Sequence, residues 1–533
     1  MNKKYDFIIV GGGPAGCVLA RRLVDTGKAS VLLLEAGPND NHPFIRMPAG
    51  FTKLTGASHS WGYETIPQKG LKGTKIWYPQ GRVLGGGSSI NAQIYTRGNK
   101  WDYDNWAEHG CNGWSFEEVL PYFRKSEDNN RIVDEYHGQG GPLKVSDALP
   151  HKLTTAFLRA AQQAGLPFNP DFNGAEQLGS GFYQVNNRDG VRCSASSGYV
   201  DPIRDDANLS LRTGAHVTRI EFNNDRAVAV HVKLGNSEHR IEAGKEILLT
   251  SGAIGSPRVL LHSGVGPARD LREVGIDSVI DVAGVGQNLQ DHMDVFCVSE
   301  CSGNYSFDKF KPWYMSAWAG AQYFLYGTGI VASNICDGGG FWYADENAPI
   351  PDVQFHFLPG SGLEHGLKEI KNGVTLNSAF LRPRSRGSVK LKSSNPLEQP
   401  LIDPNYWGDP YDIECSVKAF KRTRQIMQQD AFKPFIKSES MPGADCRSDD
   451  DIKQYACKHS KTDYHPVGTC KMGEENDPTS VVTPDLRLKG AEGIRVCDSS
   501  IMPFLNSSNT NAPTVMIAEK AADMIIADHR LQA

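Results

Sequence analysis

The spacing of hydrophobic positions changes several times along the chain, and each change predicts an element. Residues 7–10 are an unbroken apolar run, the pattern of a strand buried on both faces. A glycine-rich stretch, Gly11 to Gly16, follows at once. Val18, Leu19, Leu23 and Val24 then recur at helical spacing, and a second apolar run at 31–34 ends in Glu35. Together these predict a strand, a helix and a parallel strand with the glycines at the first turn. Residues 38–73 hold no long periodic run and predict an extended surface loop that contains Trp61. Helical patterns cover 116–123, 147–165, 413–428 and 515–526. Residues 208–234 alternate, with Leu209, Leu211, Val217, Ile220, Val228, Val230 and Val232 on the apolar side, which predicts a β-meander. The run 246–250 returns to the buried parallel pattern, and Ser256 is expected to open a helix. Strand-like runs at 353–358 and 388–391, with Trp313, Trp318 and Trp342 nearby, predict an antiparallel sheet backed by helices. No internal repeat or low-complexity tract interrupts the chain.

Length adds a second domain to this picture, because 533 residues exceed what one compact core organises. Hydrophobic content of 39% and charged content of 22% are those of an ordinary globular protein. A net charge of −5 gives no overall electrostatic case for nucleic acid or an anionic membrane. The basic cluster Arg382, Arg384 and Arg386 is expected in a solvated loop. No apolar segment approaches the ~20 residues that span a bilayer. The N-terminus runs straight into the first strand, so a cytoplasmic protein without a signal peptide is expected. The 11 cysteines lack C-x-x-C spacing and are expected to be free thiols, with no metal site. There is no H-E-x-x-H, Walker A or G-x-S-x-G pattern to support zinc hydrolysis, phosphoryl transfer or serine-hydrolase chemistry.

The chemistry begins at the glycines. Gly11 permits a tight turn, Gly13 lets the backbone approach a pyrophosphate, and Gly16 lets helix pack closely on strand. Glu35 stands where a carboxylate accepts ribose hydroxyls and repels a 2′-phosphate. This is a dinucleotide-binding pattern, and by itself it does not separate NAD from FAD. A second glycine-rich stretch, Gly81-Arg82-Val83-Leu84-Gly85-Gly86-Gly87-Ser88-Ser89-Ile90-Asn91-Ala92, cannot fill a core but lets backbone lie flat against a planar ligand. A third, GAIGSPRVLLHSGVG, starts at Gly252. His465 is held by Pro466 in a loop, not on an apolar face, and imidazole is the side chain suited to take a hydroxyl proton. Asn509 and Asn511 precede the terminal helix, where an asparagine also serves as a cap.

The second and third stretches, in order and spacing, resemble the two signature patterns of the glucose–methanol–choline (GMC) oxidoreductases, nearest to the choline-dehydrogenase-like branch. The likeness runs from Tyr5 to about Ile526. It implies an α/β plus α+β fold: a Rossmann-like FAD-binding domain interleaved with a substrate domain on an antiparallel sheet. The FAD-binding domain would comprise 1–150, 193–292 and 465–533, and the substrate domain 151–192 and 293–464. The resemblance places Val83, Gly87 and Asn91 against the flavin, Val217 at the adenine, Asp498 by the ribityl and pyrophosphate, and Asn511 near the flavin. Some members attach FAD through a histidine where this chain has Ile90, so non-covalent FAD is expected. His465 matches the catalytic base and Asn509 the second catalytic position, where an amide holds the substrate oxygen. The turn ending in Asp291-His292 matches a supporting motif, and His292 is expected to be structural.

The implied reaction is oxidation of a primary alcohol to an aldehyde, with hydride passing to flavin N5. The alternative is a hydroxynitrile-lyase-like use of the same scaffold with structural FAD. The acceptor is open between oxygen and a quinone or electron carrier, and a homo-oligomer is left open. A cationic alcohol such as choline would want an aromatic cage, for which Trp313 and Trp342 are available. Asp463 replaces a position that tends to be small and apolar in oxidase members. If it faces the pocket, slow reaction with oxygen is expected.

Overall fold

The structure, a computed structural model, describes residues 4–56, 59–362 and 367–532. Five strands form a parallel array in the order Leu209–Arg212, Val31–Leu34, Tyr5–Val10, Ser237–Leu249 and Ile494–Val496. Phe7, Ile8 and Ile9 are fully buried, as an unbroken apolar run requires when both faces are covered. The helix Pro14–Val24 packs against the terminal helix Asn511–Asp528. Arg22 clamps the two by donating from Nε and Nη2 to both carboxylate oxygens of the buried Glu519, each at 2.7 Å. The Tyr199 hydroxyl donates to the same group at 2.8 Å. Such a bidentate pair fixes orientation as well as distance.

Ser237–Leu249 belongs to two pairings at once. Its first half runs antiparallel to Arg226–Leu234, which in turn pairs with Ala215–Asn223. Its second half runs parallel to Tyr5–Val10. The change from alternating to continuous hydrophobicity thus marks where one strand passes from a half-exposed meander into a buried sheet. Leu209–Arg212 does not belong to the meander, as its alternation suggested, but pairs parallel with Val31–Leu34 at the edge. Four residues are too short for period alone to tell an edge strand from a meander strand.

The second large sheet is antiparallel, in the order Ile436–Met441, Met293–Cys301, Gly373–Phe380, Val353–Leu358, Gly338–Trp342 and Gly179–Phe182. The helices Lys152–Gln163 and Pro410–Met427 back it, with Phe157 stacked on Phe357 at 4.9 Å. The first of these is shorter than its hydrophobic pattern. His151 caps it by accepting from the Leu153 amide, and Asp147 ends a strand instead. The helix expected from Ser256 already begins at Gly252. The run at 388–391 lies outside this sheet, and Gly387–Lys390 pairs with Gln287–Leu289 and Leu401–Asp403.

The basic cluster lies in a loop, as expected, with Arg384 exposed and Arg382 and Arg386 half-buried. Arg382 lies over the Trp101 ring at 4.0 Å and Arg384 over Tyr411 at 3.5 Å, where flat guanidinium groups pack on aromatic faces. All eleven cysteines are free thiols, as expected from their spacing. Among the described residues no helix is long and apolar enough to cross a membrane.

Gly11 is a tight point of the fold. Its φ is +113°, and a Cβ there would lie 2.5 Å from the Thr250 carbonyl oxygen at the end of the neighbouring strand. Gly11→Ala is therefore expected to cost about 1–3 kcal/mol through overpacking and backbone strain. A lower urea midpoint for the purified variant checks this, and an unchanged midpoint would refute it.

Candidate active site

A cavity of about 780 Å³ opens between the two sheets. Val10, Leu34 and Thr250, at the carboxyl ends of parallel strands, line one side, and Phe296, His356, Thr375 and Asn377 of the antiparallel sheet line the other. Ligands of open parallel sheets bind at such a carboxyl edge.

The glycine turns stack at its floor. The Gly85 amide donates to the Gly12 carbonyl at 2.7 Å, and a Cβ on Gly86 would meet the Gly13 Cα at 2.8 Å. Gly13 and Gly87 face the other way. A Cβ on Gly87 would meet no protein atom within 4 Å, and one on Gly13 only the Thr250 carbonyl at 3.8 Å. Both residues line the cavity, so the missing side chains keep space for a ligand and not for protein. Gly13 also precedes the first turn of Pro14–Val24, whose free amides and positive dipole end suit phosphate. Gly16 lies away from the cavity and serves packing, since a Cβ there would stand 2.0 Å from the Gly11 oxygen.

Glu35 lines the cavity and is buried. Burial pushes its carboxyl up to about 7, against amide donation from Gly37 at 2.7 Å and Gly12 at 2.9 Å. Each oxygen keeps a lone pair for a ligand hydroxyl. Val217 and Asn511 also line the cavity. So does Asn91, whose oxygen accepts from Arg192 Nη1 at 2.7 Å and from the Gln93 amide at 3.1 Å. Asp498 lines it too, but its carboxylate is occupied by the protein. One oxygen accepts from the Gly252 amide and the Ser256 hydroxyl, at 2.8 and 2.5 Å, and the other from the Ser500 amide at 2.8 Å. Val83 departs from expectation. It does not line the cavity but packs in a small core with Ile45, Leu54 and Ile90.

The loop that carries His465 is built on Asp291. That carboxylate accepts from the His465 amide at 2.8 Å, from the Thr462 hydroxyl at 2.6 Å and from the Tyr406 hydroxyl. Tyr464 takes φ +66°, a costly conformation for a residue with a Cβ, and it aims the next side chain. His465 Nδ1 lies 3.0 Å from His292 Nδ1 and 3.2 Å from Asp463 Oδ2. His292 Nε2 lies 3.1 Å from the Leu381 carbonyl, which can only accept. His292 thus carries its proton on Nε2 and offers a lone pair at Nδ1. His465 then donates from Nδ1 and keeps a lone pair on Nε2.

Asn509 Nδ2 lies 3.1 Å from that lone pair. The amide is oriented because its oxygen accepts from the Thr96 hydroxyl at 2.9 Å and from Gln354 Nε2 at 3.1 Å. Asn509 and Asn511 do not cap the terminal helix, whose N-cap is Thr510. Burial, with His292 and His356 alongside, holds His465 well below the usual imidazole value. Burial likewise pushes His292 down to about 3 and His356 to about 4. The site is thus a cluster of neutral histidines.

Asp463 lines the cavity and is not a solvent-facing loop acid. Gln354 and His356 were missed, although they alternate with Val353, Phe355 and Phe357 and so share one face of a strand. His292 does more than brace a turn, since it bonds directly to His465. Trp313 and Trp342 do not line the cavity. Trp313 is exposed, and Trp342 packs under Arg422 at 5.1 Å. Trp61 does line it, stacked on Tyr63 with Arg82 and Arg258 at 5.0 and 4.8 Å from its ring.

The family model for GMC oxidoreductases matches residues 5–294 with its N-terminal part and 383–518 with its C-terminal part. The chain is 40% identical to the mitochondrial choline dehydrogenase of Homo sapiens, over 98% of this chain and 90% of that protein. It is 41% identical to an alcohol dehydrogenase [acceptor] of Pseudomonas putida, over 98% of this chain and 96% of the other. Its fold superposes on the formate oxidase of Aspergillus oryzae, studied for FAD modification, with a TM-score of 0.93, 26% identity and 99% of each chain covered. A stacked glycine floor, a histidine–asparagine pair across the cavity and these matches over nearly the whole length have one source: the chain belongs to the GMC oxidoreductase family.

Proposed function

We propose that the protein oxidises a primary alcohol to an aldehyde with FAD bound non-covalently along this cavity. The space kept at Gly13 and Gly87, the buried carboxyl of Glu35 and the helix N-terminus at Pro14 fit a dinucleotide. Ile90 lines the cavity and has no atom able to form a bond to the cofactor. Bound here, FAD supplies the hydride acceptor.

The chain's own residues supply the rest. A substrate hydroxyl placed between His465 Nε2 and Asn509 Nδ2 would donate to the first and accept from the second, replacing their mutual contact. Asn509 thereby holds the oxygen and orients the carbinol carbon. His465 takes the hydroxyl proton at Nε2, and Asp463 beside Nδ1 steadies the imidazolium that forms. The observation that carries this reading is the hydrogen-bond chain from Leu381 through His292, which leaves the His465 lone pair facing Asn509. The relatives named above are dehydrogenases and an oxidase, and the lyase alternative draws no support from them. With a carboxylate lining the cavity, the protein is read as a dehydrogenase that uses oxygen poorly.

Four outcomes are expected. Acid precipitation of the yellow protein should release all its colour into the supernatant, and colour left in the pellet would refute non-covalent FAD. His465→Ala should slow anaerobic flavin reduction about 10²–10⁴-fold without loss of FAD. Because the folded-state value of His465 is depressed, the base stays unprotonated as pH falls through 6.5. Wild-type reduction should therefore hold as pH falls through 6.5 and fail only lower. An acid limb centred near 6.5 in stopped-flow reduction would count against His465 as that base. Asp463→Val should raise the rate constant for reoxidation of reduced flavin by oxygen, and an equal constant in wild type would reject that role.

A further inference from the structure

The helix Trp313–Tyr326 has the most exposed apolar surface of the described residues. Only Ala319 is buried, while Trp313, Tyr314, Trp318, Phe324, Leu325 and Tyr326 are between 58% and 82% exposed. The sequence carries no Asp, Glu, Lys or Arg between Lys311 and Asp337. A water-facing helix ordinarily shows a charged face, and contiguous exposure of this kind marks an interaction surface.

Two further observations say what covers it. The first is charge. Exposed Lys53, Lys311, Lys368 and Lys371 and half-buried Lys309 flank the helix start or lie on segments that meet there. Lys311 Nζ stands 2.9 Å from Glu369, from Asp308 and from the Ser361 carbonyl, and Lys53 acts electrostatically on the same Glu369. Among the described residues of this group Glu369 is the exposed carboxylate, and Asp308 is buried. The local surface is thus cationic on a chain of net charge −5. A two-fold pair of this face would bring lysines against lysines, whereas anionic lipid headgroups complement them.

The second is position. Gly362, Leu367 and Glu369 line the catalytic cavity, and so do Phe51 and Thr52. Phe51 and Thr52 belong to the short helix Pro48–Lys53, which packs against Ile330–Ala332, just beyond the aromatic helix. Both ends of the aromatic helix therefore join segments that border the cavity.

We infer that Trp313–Tyr326 lies in the headgroup region of an anionic lipid bilayer, monotopically, with the cavity-bordering segments turned toward the lipid. Tryptophan and tyrosine favour that region because each joins an apolar ring to a polar group. The helix would lie in the interface plane, with its aromatic side chains in the acyl boundary and the lysines among headgroups. This holds whatever the alcohol, and its test is independent of the proposed reaction.

Flotation of the purified holoenzyme with phosphatidylcholine vesicles, with and without phosphatidylglycerol, is the experiment. Wild type should float with the phosphatidylglycerol vesicles, and less in high salt. The triple variant Trp318→Glu, Phe324→Glu, Leu325→Glu should float at least about tenfold less, with wild-type FAD content and dye-linked activity. Should it misfold, Phe324→Glu alone is read the same way. Lys368→Glu with Lys371→Glu should remove the preference for phosphatidylglycerol. A wild type that stays at the bottom with both vesicles overturns the inference. So does a wild-type dimer that the triple variant splits while flotation is unchanged, which would make this face a self-association surface.

Discussion

The structure depends on backbone segments lying closer together than any side chain allows. The oxygen of Thr250 stands where a Cβ of Gly11 would be, the oxygen of Gly11 where a Cβ of Gly16 would be, and the Cα of Gly13 against Gly86. These contacts stack the end of one parallel strand, the first turn of a helix and a distant glycine loop into a single layer. The layer has space on one side only. Facing protein, its glycines are filled by neighbouring backbone, and facing the cavity, Gly13 and Gly87 are not. The same residue type thus does two jobs, packing and leaving room, and the direction of the missing Cβ separates them.

Above that floor the chemistry is set by burial and by one-directional hydrogen bonding. A carbonyl accepts and never donates, so Leu381 fixes the proton of His292, and His292 fixes that of His465. Asn509 is set from its other end by Thr96 and Gln354. Burial of three neighbouring histidines keeps all of them neutral, which suits a base that must accept a proton. Asp463 is placed where positive charge would develop. The site lies where the two sheets meet, and neither sheet alone contains it: Gln354 and His356 come from the antiparallel sheet, His465 from the loop after Thr462, and Asn509 from the loop that leads into the terminal helix.

The exposed aromatic helix stands apart from this economy. Exposed large apolar residues elsewhere, such as Val133, Phe168 and Val279, are scattered along the chain, and Arg382 and Arg384 of the basic cluster lie over aromatic rings. Overall net charge argued against a membrane surface, but charge averaged over a chain says little about one face. The lysines near Trp313–Tyr326 come from separate segments, and only folding brings them together.

Much was determined by sequence alone. Continuous apolar runs gave the buried strands, because a strand covered on both faces tolerates no polar position. Glycines at fixed offsets gave the strand-to-helix turn, because a Cβ at Gly11 or Gly16 would strike backbone, and the signature stretches gave the family. What folding decided was direction and company. The strand Leu209–Arg212 joined the parallel sheet because four alternating residues fit either pairing. Val83 turned into a core while its neighbour Gly87 faced the cavity, a matter of which way a loop rotates. Trp313 and Trp342 did not line the cavity and Trp61 did, since aromatic content carries no address. His292, distant in sequence from His465, became its hydrogen-bond partner, and that contact determines which nitrogen keeps its lone pair. Such facts depend on distances between segments far apart in the chain, and local pattern, which reports only whether a position is buried, does not contain them.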